Sequence, residues 1–198
     1  MQQPSNHPPL ILASSSAYRR QLLLKLNLSF DCVNPCIDET AGSNEPADQL
    51  VARLAREKAL AVIRSHPAHL IIASDQVAVL DGVIMTKPGD HGSAIAQLRQ
   101  CSDRKVIFYT GLTLLNSSTG RLQNAVEPFS VYFRRLDATT IERYLANEKP
   151  YDCAGSFKVE GLGITLFKKL EGDDPNSLIG LPLIQLTSML AKEGILRP

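Results

Sequence analysis

Apolar positions along this chain change their period several times, and each change marks an element. Leu10–Ala13 is a continuous apolar run of strand length. It ends in Ser14-Ser15-Ser16, after which apolar residues recur at helical spacing over 18–26. Phe30–Val33 predicts a second short strand, followed by a loop carrying Asp38 and Glu39. The longest helical pattern covers 45–65, where Leu50, Val51, Leu54, Ala55 and Ala59 recur at threes and fours until Pro67 stops it. Residues 70–73 predict a buried strand that ends at Ser74-Asp75-Gln76. Residues 77–80 and Val83–Met85 flank Asp81-Gly82, a strong two-residue hairpin signal. His91–Cys101 reads as a helix, and 106–115 and 122–136 as two long strands joined by a polar turn. Asp137 is placed to cap a helix over 138–147. Residues 164–167 predict a strand, and 178–192 a closing helix with Pro182 in its early part. There is no internal repeat or low-complexity linker. The alternation predicts a mixed α/β fold with an elongated, twisted sheet flanked by helices. A single domain over 10–198 would follow a polar, proline-rich tail over 1–9.

The first of these transitions carries chemistry as well as structure. Unpaired N–H groups at a helix N-terminus favour an anion. Arg19 and Arg20 lie in the first turn of the predicted helix, where their charge opposes the helix dipole unless a negative ligand offsets it. Ser14, Arg19 and Arg20 are therefore candidate ligands for a phosphorylated compound.

Composition narrows the classes. The chain has 198 residues, 44% hydrophobic and 21% charged, with a formal net charge of +1. That balance gives no broad basic face for nucleic acid or anionic membrane, so a phosphate site must be a local cluster. No apolar run approaches the roughly 20 residues of a membrane span. The N-terminus lacks the apolar core of a signal peptide, which makes the cytoplasm the default compartment. The cysteines, Cys32, Cys36, Cys101 and Cys153, read as structural or free thiols rather than a zinc or disulfide framework.

Asp75 follows a predicted strand, where a sheet fixes a side chain and a loop opens to ligand. Asp38 and Glu39 follow another. Such carboxylates can hold a divalent cation together with substrate phosphates, or accept a proton from water. By composition alone, a turn cap and two solvated carboxylates are the favoured explanation. Lys58 lies within the long helix, and Lys87 in a loop stiffened by Pro88. The glycine-bearing stretches 153–163 and 172–183 match neither a P-loop nor a dinucleotide fingerprint.

Together these pieces resemble the Maf family of nucleoside triphosphate pyrophosphatases. The resemblance runs from about Leu10 to about Gly194. It rests on Leu12-Ala13-Ser14 with Arg19-Arg20, Asp38-Glu39, Glu57-Lys58-Ala59, Ser74-Asp75-Gln76, Lys87-Pro88, Tyr109-Thr110-Gly111, Ala154-Gly155-Ser156-Phe157 and Gly180-Leu181-Pro182-Leu183. It implies two lobes around a central cleft, and metal-dependent hydrolysis of a nucleoside triphosphate to the monophosphate and diphosphate. Asp75 corresponds to the proton acceptor. Ser14, Arg19, Arg20, Glu39, Lys58 and Lys87 correspond to the polar set around it. Glu39 and Asp75 would hold the divalent cation, Mg or Mn. A homodimer is compatible with the family. Ala17 stands where the family commonly has proline, and Thr86 where it has glycine. Neither change touches a charge.

Three positions resemble the branch that acts on 7-methyl-GTP, an activity that would keep modified nucleotides out of nucleic acids. The dTTP/UTP branch typically has Arg, Thr and Gln where this chain has Tyr18, Gln76 and Glu160. Methylation at N7 makes guanine cationic, and an aromatic face attracts such a ring by ~0.5–2 kcal/mol. Glu160 can accept from the guanine N1–H and exocyclic amine. Gln76, with a donor and an acceptor, can read the base edge or the ribose. The alternatives are a dTTP/UTP pyrophosphatase and a nucleotide-binding regulator of cell division or septation.

Overall fold

Strand β1 (Leu10–Ala13), buried along its whole length, lies between β2 (Phe30–Val33) and the start of β3 (Leu70–Leu80), parallel to both. A computed structural model describes residues 8–195 of the chain. The tail expected over 1–9 therefore falls outside the described residues except for Pro8 and Pro9. The remaining strands are β4 (Val83–Met85), β5 (Lys105–Asn116), β6 (Leu122–Phe133) and β7 (Phe167–Glu171). They complete a seven-stranded mixed sheet in the order β2-β1-β3-β5-β6-β7, with β4 paired to β3. The helices are α1 (Ala17–Leu24), α2 (Ala47–Ala61), α3 (His91–Cys101), α4 (Ala138–Glu148), α5 (Pro175–Ile179) and α6 (Leu183–Lys192). The mixed α/β architecture is the one expected.

Alternation along the strands explains how the helices attach. Leu10, Leu12, Leu70 and Ile72 face one side, where they pack with Leu186 and Leu190 of α6 and Leu22 and Leu23 of α1. Ile11, Ala13, Ile71 and Ala73 face the other side, against Ala59 and Val62 at the end of α2. A separate core gathers Leu98 of α3, Leu145 of α4 and Phe108, Phe133, Phe157 and Phe167. The phenylalanines meet edge to face.

Four expectations change. The strand over 70–73 and the first hairpin strand over 77–80 are one strand, β3, and Asp75 lies in its middle rather than at a strand end. The polar Ser74-Asp75-Gln76 stays extended because β5 pairs with β3 throughout 70–80 and each of the three side chains has a partner. The strand over 164–167 is instead a 3-10 turn at Leu162–Leu166, and β7 begins at Phe167. Leu162 and Ile164 are exposed, so their apolar character does not mark a buried strand. The closing helix divides into α5 and α6. Gly180 ends α5 in the left-handed region at φ 117°, and Pro182 caps α6. The helix predicted over 45–65 is shorter at both ends, beginning after Pro46. The Asp81-Gly82 hairpin is present, both residues at positive φ as a type I′ turn requires.

One topological detail positions everything that follows. On the side of β3 away from β5, β1 pairs only with residues 70–72 and β4 only with residues 78–80. Between them the sheet edge is open over 73–77. Asp75 and Gln76 occupy that window, and as successive strand residues they point to opposite faces.

Candidate active site

The open window is the floor of a cleft of about 1140 Å³. Ser14, Tyr18 and Arg19 reach it from the end of β1 and the start of α1. Glu39 comes from the loop after β2, Lys58 from α2, Lys87 from the loop after β4, and Glu160 from the loop before β7. Asp75 and Gln76 complete the set. Arg20 is exposed on α1 and is not among the cleft-lining side chains.

At the centre is a charge triad. Lys58 Nζ lies 2.6 Å from Asp75 Oδ1 and 2.7 Å from Glu39 Oε1. The lysine and Asp75 side chains are almost fully buried, while Glu39 remains 58% exposed. A buried lysine is unusual on a helix. It sits here because α2 approaches β5 backbone to backbone. Gly111 lies opposite Asp75 on β5, and a Cβ there would collide with the Val51 carbonyl of α2. Absence of that Cβ lets the helix carry Lys58 onto the carboxylate. Burial would raise the Glu39 pKa, but the Lys58 hydrogen bond and the charges of Lys58, Lys87 and Arg19 outweigh it and hold the group below its ordinary range. Asp38, by contrast, is exposed and accepts from Thr40 at 2.6 and 2.9 Å, shaping the loop.

The opposite face of β3 is organised by the end of α5. Carbonyls at a helix C-terminus lack intrahelical partners. Here side chains from the cleft and from the buried strand layer beneath it donate to them, beside the Gly180 N–H that reaches the Ser177 carbonyl. Arg19 Nε and Ser74 Oγ each donate to the Gly180 carbonyl at 2.8 Å. Gln76 Nε2 and Thr110 Oγ1 donate to the Ser177 carbonyl at 2.7 and 2.9 Å. Burial lowers the pKa of the Arg19 guanidinium, and the charges of Asp75 and Glu39 oppose that fall. Arg19 is thus aimed by the α5 terminus and tied electrostatically to the triad.

Tyr18 is half-buried. Its hydroxyl lies 3.4 Å from Asp152 Oδ2 and 3.8 Å from Cys153 Sγ, and Lys158 Nζ lies 5.9 Å from its ring centroid. Burial pushes the Cys153 thiol up to about 12, so it stays protonated at neutral pH. All four cysteines are free thiols. Cys153 and Lys158 belong to the glycine-bearing stretch 153–163, but nothing in its spacing shows that this loop, with Asp152, folds over Tyr18.

Glu127 is a buried carboxylate outside the cleft lining. It pairs with Thr110 across β5 and β6, is 6% exposed, and meets no cation or donor among the described residues. Burial, reinforced by Asp173 and Asp174, raises its pKa above the ordinary 4.5. The folded state therefore favours the protonated form. That contribution to stability is full below pH 4.5 and is lost as pH rises through the raised value. Glu127→Gln should raise the melting temperature at pH 7. The gain should vanish below pH 4.5 in a pH series of thermal melts. An equal gain at pH 4 would contradict it.

Among the described residues no helix is long and apolar enough to cross a membrane, and no group of three or more His, Cys, Asp or Glu forms a metal cage. Glu39 and Asp75 nevertheless offer carboxylate oxygens beside one another on Lys58. Magnesium bound through substrate phosphates needs no more than one or two such groups.

Residues 9–193 match the family model described as Maf-like protein. The 7-methyl-GTP pyrophosphatase of Pseudomonas syringae pv. tomato is 58% identical over 191 residues, covering 96% of this chain and 100% of that protein. The protein of the same name from Pseudomonas fluorescens is 58% identical over 190 residues, covering 96% and 99%. That from Pseudomonas aeruginosa is 55% identical over 188 residues, covering 95% and 98%.

Proposed function

The chain belongs to the Maf-like family, and on that premise we propose that it is a nucleoside triphosphate pyrophosphatase that hydrolyses 7-methyl-GTP to 7-methyl-GMP and diphosphate. The observation that carries this reading is the cleft itself, where a buried Lys58–Asp75 pair shares one space with the Arg19 and Lys87 cations and with Tyr18, Gln76 and Glu160. High identity to 7-methyl-GTP pyrophosphatases along nearly the whole chain supports the base.

In the proposed mechanism, water attacks the phosphorus at the α–β anhydride and that P–O bond breaks. Asp75 accepts the proton of the attacking water. Lys58, Arg19 and Lys87 offset charge that develops on the phosphates, and the first two are already held in place by Asp75 and the Gly180 carbonyl. Ser14 Oγ, 3.5 Å from Arg19 and 3.1 Å from the Ser16 N–H, shapes the turn that meets the phosphates. Glu39 and Asp75 are the residues that would hold a Mg or Mn ion bound with the triphosphate. When bound, that ion would neutralise phosphate charge and acidify water. Tyr18 offers its ring to the cationic methylated base and Glu160 its carboxylate to the base edge. We place the activity in the cytoplasm.

Steady-state rates with 7-methyl-GTP, GTP, dTTP and UTP under identical conditions test the reading. Activity should be greatest with 7-methyl-GTP, and a preference for dTTP or UTP would overturn it. Tyr18→Ala should lower kcat/KM for the methylated nucleotide by about 2- to 30-fold beyond any loss against GTP, the span of a cation–π contact.

A further inference from the structure

Gln76 and Thr110 stand directly opposite one another on β3 and β5. Gln76 Nε2 lies 2.9 Å from Thr110 Oγ1, 2.7 Å from the Ser177 carbonyl and 3.3 Å from the Leu178 carbonyl. The two carbonyls settle which end of the amide is which, since an oxygen in that place would face two oxygens. An amide nitrogen carries two hydrogens, and both are engaged inside the protein. Thr110 spends its own hydroxyl proton on the Ser177 carbonyl at 2.9 Å, so toward Gln76 it only accepts. Thr110 is 0% exposed and is sealed from substrate. Gln76 lines the cleft, and among the described residues nothing donates to its Oε1. The dual donor–acceptor role expected for Gln76 is thus reduced to one.

We infer that Thr110, together with the Ser177 carbonyl, is a positioning residue that presents Gln76 to the nucleotide as a hydrogen-bond acceptor only. The substrate must then bring a donor to Oε1, either an N–H of the guanine or a ribose hydroxyl. Rotating the amide to serve a substrate acceptor would place its oxygen against the Ser177 and Leu178 carbonyl oxygens and leave the Thr110 hydroxyl without its Gln76 donor. Discrimination by a group left unpaired is stronger than discrimination by shape. The identity of the nucleotide rests on the proposed function, but the orientation of the amide does not.

The test compares wild type, Thr110→Val and Thr110→Ser. Valine keeps the volume and removes the hydroxyl, and serine restores it. Each is assayed with 7-methyl-GTP, 7-methyl-ITP (without the exocyclic amine) and 7-methyl-2′-deoxy-GTP. Inorganic tripolyphosphate serves as a base-free competitive inhibitor. Thr110→Val should raise KM for 7-methyl-GTP about five- to tenfold, the value of one hydrogen bond. It should change kcat less than twofold and leave the tripolyphosphate Ki unchanged, and Thr110→Ser should recover the wild-type KM. The analogue whose KM no longer responds to Thr110→Val identifies the donor as the exocyclic amine or the 2′-hydroxyl. A response in both assigns it to N1–H or the 3′-hydroxyl. An unchanged KM, a tripolyphosphate Ki that rises in step, or no recovery by serine overturns the inference. If Thr110→Val does not accumulate as folded protein, Thr110→Ala takes its place. Should wild type prefer another nucleoside triphosphate, the proposed function falls, and the same three-way comparison on that nucleotide still decides the role of Thr110.

Discussion

Asp75→Asn should lower kcat by about a hundred- to ten-thousandfold, the usual contribution of a positioned general base, while nucleotide binding survives. The two results follow from different parts of the same contact. Asparagine keeps the shape of the side chain but cannot take a proton from water. Lys58 does not become an orphan, because Glu39 remains 2.7 Å away on its other side. Arg19 stays hydrogen-bonded to the Gly180 carbonyl, and Lys87 lies on a loop that Asp75 does not hold. The dissociation constant for a non-hydrolysable triphosphate analogue, measured without divalent cation, should therefore stay within about threefold of wild type, or tighten slightly as a negative charge leaves the phosphate site. Single-turnover rates and equilibrium binding on the same preparation separate the two. A variant that keeps more than a tenth of wild-type turnover removes Asp75 from its role.

Lys58→Met should damage the fold as well as the reaction. Asp75 is only 8% exposed at its side chain, and Lys58 is the cation in contact with it. Breaking a buried pair by removing one member leaves an uncompensated charge, which costs about 3–5 kcal/mol. In a chain of this size that corresponds to a melting temperature lower by roughly 6–20 °C. Loss of a preorganised cation at the phosphates should add a rate penalty of about a hundred- to thousandfold. Adding Asp75→Asn to Lys58→Met removes the stranded charge, so the double variant should recover much of the stability and none of the activity. Thermal melts of the two single variants and the double variant form a complete cycle. A Lys58→Met protein melting within 2 °C of wild type would show that the pair is not what anchors Asp75.

Much of this was readable in advance because the local cues and the final packing agree. The Asp81-Gly82 hairpin, the Asp137 cap on α4 and the alternation of β5 and β6 each needed only nearby residues. Motif order was enough to bring nine of the ten candidate side chains to one cleft. The errors arose where distant partners decide the outcome. Three consecutive polar residues in the middle of β3 look like a turn until α2 and α5 arrive to satisfy them. Thr110 reads as one more strand threonine, since its importance lies in a carbonyl 67 residues further along the chain. Arg20 shares its motif with Arg19, but helix geometry rotates it away from its neighbour and out to solvent.

The open window in the sheet at 73–77 has a consequence for how such proteins diversify. Asp75 answers to α2 and Gln76 to α5, from opposite faces of one strand. Mutational drift at Gln76 or Thr110 repacks one layer and leaves the lysine-bearing helix untouched. Two traits that must usually be retuned together can here be inherited almost separately, one peptide bond apart. Descendants of this scaffold could exchange the nucleotide they favour while keeping the bond they cut.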